Sequence, residues 1–168
     1  MFAACPPIRS ADNRALLWAA LADGTLDMVV SDHSPCAPEH KDLCGGDFGR
    51  AFGGISSLQI ALPALWTQAL RAGFDLPDVC RWMAQAPAEL AGLTDRGVIA
   101  PGRCADFCVF EPDTEWVVRG AELLHRHPAT PYEGARLTGA VRQMWRGGGT
   151  ADDAGRGELL CAGIREPA

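Results

Sequence analysis

The spacing of apolar residues at the start of the chain predicts a helix followed by a strand. Apolar residues recur at helical intervals after a proline pair, with Ser10 or Asp12 as the capping residue and a stop at Gly24. A continuous apolar run over residues 26–30 then predicts a short strand that is covered on both faces, as in a parallel sheet. Because this run ends in Ser-Asp-His, polar groups lie at the carboxyl end of the predicted strand.

A long loop and two more helices are predicted next. Residues 33–53 are rich in Pro, Gly, Asp and Cys, and a connection of this length is typical of a functional loop. A helix is predicted from Ile55 until Gly73 stops it, and Pro63 is expected to kink it. A shorter helix is predicted over residues 77–93, with its apolar positions in the core.

The pattern changes from helices to strands at Gly97. Alternating polar and apolar residues, separated by Pro-Gly and Pro-Asp turns, predict strands of a separate sheet. A further strand starts at Leu137, and a last short strand is predicted at residues 159–161. Between them, a Gly-rich stretch near residues 147–157 is predicted to be flexible.

These patterns predict the α/β class and two domains: a segment of an α/β domain over residues 1–96, and part of a β-sheet domain over residues 97–168. In α/β domains the active site lies at the carboxyl ends of the strands, and Asp32 stands at such an end. A carboxylate there can bind a metal, act as a general base, or only cap the following loop by accepting backbone amides. The residues by themselves leave these three roles open.

Charge and composition exclude some partners. The formal net charge is −6, and 15 Lys and Arg are scattered among 21 Asp and Glu, whereas a nucleic-acid surface needs a concentrated basic face. No segment approaches 18 uninterrupted apolar residues, so no membrane span is predicted. The seven cysteines include no C-x-x-C pair, which favours reduced thiols and a cytoplasmic location over a disulfide framework.

Seven motifs, in order along most of residues 3–147, resemble those of one family. The motifs are CPPIR (5–9), SDHSPC (31–36) with Lys41 downstream, FGGISSLQ (52–59), LPALWTQA (62–69), PAELAGL (87–93), GVIAPGRCADFCVFEP (97–112) and HRHPATPYEG (125–134). Together they resemble the C-terminal third of the allantoinases, which are cyclic amidohydrolases related to dihydroorotases and hydantoinases. The resemblance implies the last part of a (β/α)8 metal-dependent hydrolase barrel, with strands of a small β-sandwich.

Asp32 is the residue about which the resemblance implies most. It implies that Asp32 ends the eighth barrel strand, binds the more buried of two metal ions, usually zinc, and is the catalytic residue. In the family, a hydroxide shared by the metals attacks the cyclic amide carbonyl, and the aspartate passes its proton to the departing ring nitrogen. A carboxylate that touches the activated water can do this without leaving its ligand position. The implied reaction opens the hydantoin ring of allantoin to allantoate in purine catabolism.

The resemblance also implies substrate contacts from the backbone near Cys5, Gly53 and Gly54, because paired glycines allow close approach. The alternative, that these are only turn glycines, stays open. Four residues after Asp32, dihydroorotases carry a histidine that binds a carboxylate, whereas this chain has Cys36, which favours an allantoin-like hydantoin. The resemblance further implies a homo-oligomer that acts on a small-molecule substrate.

Most metal ligands of the family cannot be placed on this sequence. They are an H-x-H pair at the first barrel strand, a carboxylated lysine and two further histidines. The H-x-H formed by His125 and His127 matches a different family segment, and we interpret it as a packing or subunit contact. We expect His33 to support the site from behind the metal ligands or to belong to the loop, rather than to bind a metal itself, and His40 to be an exposed loop residue.

The length of the sequence sets a further limit. A barrel of this type needs about 200 to 250 residues, more than the 168 present. We therefore expect the chain alone to bind zinc weakly or not at all and to be inactive. Two alternatives stay open, namely a non-catalytic remnant or split-enzyme subunit, and a hydantoinase-like or dihydropyrimidinase-like hydrolase.

Overall fold

The computed structural model describes residues 2–42, 45–47, 49–127 and 129–150. Helices occupy the first part of the chain and strands the second, as the sequence predicts. The helices are α1 (Ala11–Ala22), α2 (Pro38–Asp42), α3 (Ala61–Ala72), α4 (Leu76–Cys80) and α5 (Ala86–Leu90). The strands are β1 (Phe107–Val117), β2 (Arg136–Arg146) and β3 (Gly149–Thr150), in one antiparallel sheet of order β1-β2-β3.

Helix α1 begins where the sequence predicts. The hydroxyl oxygen of Ser10 accepts a hydrogen bond from the Asn13 amide at 3.3 Å, so Ser10 rather than Asp12 is the N-cap. The helix ends at Ala22, before the turn that contains Gly24. The predicted first helix is therefore confirmed.

The predicted strand over residues 26–30 belongs to no β-ladder within the described residues. The Val29 amide instead donates to the carbonyl of Trp82 at 3.1 Å, and a parallel bridge joins His33 to Ile55. The side chain of Val30 is 65% exposed, so the predicted burial on both faces is also not found. A strand needs a hydrogen-bonded neighbour, and the described chain places a helix carbonyl beside this segment.

Helix α3 begins later than the sequence predicts. A 3-10 turn (Leu58–Ile60) leads into it, and residues 55–57 lie outside the helix. Pro63 is therefore the third residue of α3, in the first turn, where a missing N–H costs no intrahelical bond, and the expected kink is wrong. Gly73 ends the helix as predicted, with a left-handed φ of 86°.

The third predicted helix contains an irregular turn. A π-helical segment (Arg81–Gln85) joins α4 to α5, and the whole helical stretch ends three residues before the predicted end at residue 93. Asp75 and Asp78 cap the start of α4 reciprocally, through bonds of 3.1 and 3.3 Å. The π-helical turn buries Trp82 to 1% exposure.

The helices and the sheet share a contact along α3. The Trp66 indole N–H donates to the Pro112 carbonyl at 2.9 Å, and Thr67 exchanges hydrogen bonds with the backbone of Thr138 in β2. One apolar cluster lies on the helix side and a second between α3 and the sheet; they comprise Leu21, Trp66, Ala69, Val79 and Trp82, and Ile60, Val118, Leu123 and Leu137. The division into two domains at residue 97 stays a prediction.

The far end of the chain is described as far as residue 150. Strand β3 pairs with the end of β2. The predicted strand at residues 159–161, and most of the Gly-rich stretch, lie outside the described residues.

Candidate active site

Asp32 lies at the end of the extended segment and has an unusual backbone conformation. Its φ is 44°, in the left-handed region that few residues other than glycine adopt, although Asp and Asn tolerate it best. Its side chain is exposed. The hydroxyl of Ser34 donates to the Asp32 carbonyl at 3.0 Å and accepts the Ile55 amide at 3.1 Å. Ser34, rather than the Asp32 carboxylate, thus organises the following turn within the described residues.

Hydrogen bonds fix the backbone on both sides of Asp32. Before it, the Ser57 hydroxyl donates to the carbonyl of Ser31 at 2.8 Å. After it, the Ser34 amide donates to the Ile55 carbonyl at 3.0 Å. The segment 31–34 is therefore attached to the segment 55–58 at both ends.

Two imidazoles cap the start of the helical segment that leads into α3. Nδ1 of His33 accepts the amides of Ser57 and Leu58, each at 3.0 Å, and Nε2 of His125 accepts the amide of Gln59 at 3.3 Å. The ring centroids of the two histidines are 4.8 Å apart. Because a helix start carries unpaired N–H groups, these nitrogens satisfy three consecutive backbone donors.

His33 has a structural role beside the loop, as expected. His40 is exposed as expected, but it lies on the short helix α2 rather than in a loop. His125 packs, as interpreted from the sequence, but against the residue that follows Asp32. This contact was missed, and the HRHPATPYEG motif was its only signal in the sequence.

Burial lowers the pKa of His125, and the neighbouring His33 lowers it further. Its Nδ1 is buried without a hydrogen-bond partner in the described residues. A histidine whose folded-state pKa lies below the unfolded value of about 6.5 contributes stability above that pH and loses it as pH falls through the folded pKa. The stability of the chain is therefore expected to decrease on acidification.

A His125→Gln variant tests this pH dependence. Gln places an acceptor near the position of Nε2 but does not titrate, so the fall in Tm between about pH 7.5 and 5.5 is expected to be smaller than in the wild type. Thermal denaturation at several pH values measures it, with the exposed His40→Gln as the matched control. Equal slopes for the wild type and His125→Gln would contradict the assignment.

Cys5, Gly53 and Gly54, the predicted substrate contacts, lie together. A Cβ on Gly53 would come within 3.3 Å of the Cβ of Cys5, and the Gly54 amide donates to the carbonyl of Ala3 at 3.0 Å. Gly54 has a φ of 149°, and a Cβ there would run into the carbonyl of Ser34. The glycine pair therefore joins the N-terminal segment to the turn that follows Asp32.

Lys41, the one lysine of the sequence, holds this junction. Its Nζ donates to the carbonyls of Gly54, Ala3 and Phe52, at 2.6, 3.1 and 3.3 Å. An ammonium has three N–H donors, and here they meet acceptors on two stretches of backbone, one at Ala3 and one at residues 52–54. The motif resemblance includes Lys41 but does not predict that it binds these three carbonyls.

Replacement of Lys41 by Met is expected to destabilise the chain by about 2 kcal/mol, because three carbonyls lose a charged donor. Urea unfolding measures the loss. The matched control on the same helix is Glu39→Gln, whose side chain is exposed. A Lys41→Met variant as stable as this control would show that the three bonds do not form.

The chain by itself does not assemble a metal centre in the described residues. Across residues 2–42, 45–47, 49–127 and 129–150, no group of three or more His, Cys, Asp and Glu side chains could hold a metal ion. Asp32 is a single exposed carboxylate, so further ligands would have to come from elsewhere. In the part of the chain that the structure describes, no helix is long and apolar enough to cross a membrane.

The comparisons with known proteins agree with this geometry. A model of the amidohydrolase family matches residues 4–150, so the chain belongs to the amidohydrolase family. Solved hydantoinases from Thermus sp. and Arthrobacter aurescens superpose with TM-scores of 0.82 at 28% identity, over 89% and 95% of this chain and 33% and 35% of theirs. The predicted fold class, the last part of a hydrolase barrel, is confirmed.

Curated proteins named as allantoinases are similar to the chain in sequence. The chain is 52% identical to the allantoinase of Streptomyces avermitilis over 144 residues, which is 86% of this chain and 32% of that protein. It is 44% identical to the allantoinase of Arabidopsis thaliana, over 83% of this chain and 28% of that protein. The chain thus spans about a third of the length of these relatives.

Proposed function

We propose that this chain is the C-terminal third of a cyclic-amide hydrolase that opens the hydantoin ring of allantoin to allantoate. The observation that carries the proposal is the position of Asp32, an exposed carboxylate at the end of an extended segment, with its backbone held on both sides. Carboxylates in barrel hydrolases act from the carboxyl ends of strands. The similarity to proteins named as allantoinases supports allantoin as the substrate.

Asp32 has two roles in the proposed reaction. It takes the proton of the attacking water and gives it to the ring nitrogen that leaves, which a general acid–base group can do when it lies within hydrogen-bond reach of both. It is also proposed as one ligand of a divalent ion, zinc in the first instance. A bound ion would lower the pKa of water and polarise the amide carbonyl. The described residues do not complete a metal site, so the remaining ligands of this ion are proposed to come from other parts of the barrel.

Cys5 and Gly53 are the proposed contacts for the amide edge of the ring. Gly54 was also predicted as a contact, but its amide already donates to Ala3 and its carbonyl already accepts Lys41. We therefore propose that Gly54 holds the junction while the backbone of Cys5 and Gly53 faces the substrate. The two glycines thus have different proposed roles, which their spacing in the sequence did not indicate.

An open apolar face beside Asp32 supports the view that more of the barrel packs here. A cavity of about 1070 Å³ is lined largely by apolar side chains, among them Val29, Val30 and Met83. Val30 and Leu58 are 65% and 62% exposed. Apolar surface of this kind is stabilised when another element covers it. As further parts of this proposal, the protein forms a homo-oligomer and is located in the cytoplasm.

A chimaera tests the proposed function. The segment of the Streptomyces avermitilis allantoinase that aligns with this chain is replaced by the 144 aligned residues, and hydrolysis of allantoin is measured. We expect turnover of allantoin with the folded chimaera. A folded chimaera that is inactive towards allantoin, while the parent enzyme is active, would contradict the proposal.

A hydantoinase activity is the second candidate, since solved hydantoinases share the fold. Assays of the chimaera on unsubstituted hydantoin and dihydrouracil separate it from the first. We expect kcat/KM to be highest for allantoin, because the identities to allantoinases are higher than those to the hydantoinases of known structure.

A further inference from the structure

We propose that His33 and His125 are positioning residues that hold Asp32 in its left-handed backbone conformation. The inference rests on the proposed role of Asp32 and adds two residues to that site. Neither histidine is required to touch the substrate.

The conformation of Asp32 needs support from its surroundings. A φ of 44° is disfavoured for a residue with a Cβ, and such conformations persist where the surrounding structure fixes them. The side chain of the residue after Asp32 is held by two bonds: Nδ1 of His33 accepts the amides of Ser57 and Leu58, at 3.0 Å each. Release of that ring would remove two of the bonds that hold the chain on the carboxyl side of Asp32, and would leave the bonds of Ser34 to hold it.

His125 supports the His33 ring from the region that follows β1. Its centroid lies 4.8 Å from that of His33 at an interplanar angle of 54°. Two bonds fix its position, from the Gln59 amide to Nε2 of His125 at 3.3 Å and from the Leu124 amide to Oε1 of Gln59 at 2.7 Å. The sheet side of the molecule is thereby attached to the turn that carries Asp32.

His33 accepts its hydrogen bonds through Nδ1 and His125 through Nε2, so substitutions can distinguish the positioning role from general packing. Among amide side chains, Asn reproduces the position of Nδ1 and Gln that of Nε2, and both oxygens are acceptors. His33→Asn and His125→Gln should therefore keep the bonds, whereas His33→Gln and His125→Asn should lose them. If the two histidines only filled space, Asn and Gln would not have opposite effects at positions 33 and 125.

The first readout is made on the 168-residue chain without any activity assay. A positive φ brings the amide and α protons of a residue close together, so Asp32 should give a strong intraresidue NOE in the wild type, in His33→Asn and in His125→Gln. We expect this NOE to weaken in His33→Gln and His125→Asn. The amides of Ser57 and Leu58 should exchange faster in His33→Gln, and that of Gln59 in His125→Asn, because each loses its acceptor.

The second readout uses the chimaera with the Streptomyces enzyme. We expect kcat for allantoin to fall about 10- to 100-fold in His33→Gln and His125→Asn, as for partners that orient a ligand or base, while KM changes little. In His33→Asn and His125→Gln, which keep the hydrogen bonds, kcat should stay within about threefold of the parent value. His40→Gln, on an exposed helix, is the unchanged control.

The outcomes separate this inference from the proposed function. If Asp32→Asn abolishes turnover but all four histidine variants keep kcat and the NOE, the positioning role is rejected and the function stands. If Asp32→Asn is fully active, the proposed function fails, whatever the NOE shows. Equal losses for Asn and Gln at both histidines would also reject the positioning role.

Discussion

Replacement of Asp32 by Asn in the chimaera is expected to lower kcat for allantoin by about 10³-fold or more, since the variant cannot carry a proton between water and the leaving nitrogen. Asn tolerates the left-handed region as well as Asp does, so the φ of 44° is expected to be kept. The measurement is kcat and KM for allantoin, together with circular dichroism and Tm to show an unchanged fold.

A nearby carboxylate provides the control for this substitution. Asp27 lies five residues earlier on the same extended segment and is also exposed, so Asp27→Asn removes the same charge without touching the turn. It is expected to leave kcat unchanged within experimental error. Retained activity in Asp32→Asn, or an equal loss in both variants, would contradict the assigned role.

Gly54→Ala is expected to be the most destabilising of the substitutions considered, by about 3 kcal/mol, because backbone strain and overpacking are added together. The residue has a φ of 149°, and a new Cβ would run into the carbonyl of Ser34, whose hydroxyl holds the turn after Asp32. The free energy of unfolding in urea measures the effect, and the chimaera should also lose activity.

The Gly102→Ala variant separates the cost of backbone strain from the cost of steric overlap. Gly102 also has a positive φ, 81°, but a Cβ there meets nothing within 4 Å. Its replacement should cost about 1 kcal/mol, the backbone contribution alone. If the two alanine variants were equally stable, the close approach of Gly54 to Ser34 would not be present in solution.

Local signals predicted the fold where the stabilising partners are themselves local. The Ser10 cap and the left-handed Gly73 act within a few residues of the helix ends, so the limits of α1 and the end of α3 could be read from the sequence. The start of the helical segment that leads into α3 could not, because the amides of residues 57–59 are satisfied by His33 and His125. The lack of β-pairing at residues 26–30 within the described residues could not be predicted either, because pairing depends on which segment lies beside the strand.

The site was predictable to a similar extent. Motif resemblance placed Asp32, Cys5 and the glycine pair in one neighbourhood, and the structure brings Cys5 and Gly53 into contact. The bond from Gln59 to His125 spans 66 residues of sequence, and no periodic pattern records a contact between separate elements at that distance. The three bonds of Lys41 were invisible for the same reason, because each acceptor is a backbone carbonyl common to every residue type.

The position of Lys41 links the chemistry of one side chain to the motion of the loop around it. Its amine becomes nucleophilic only after it has lost a proton and has left the carbonyls of Ala3, Phe52 and Gly54. Acylation of this single lysine therefore requires that its side chain first leave the N-terminal segment and the glycine pair. The rate at which an amine-reactive reagent modifies Lys41, separated from the α-amino group by peptide mapping, thus reports how often this side chain releases the junction, without a label or a probe introduced into the sequence.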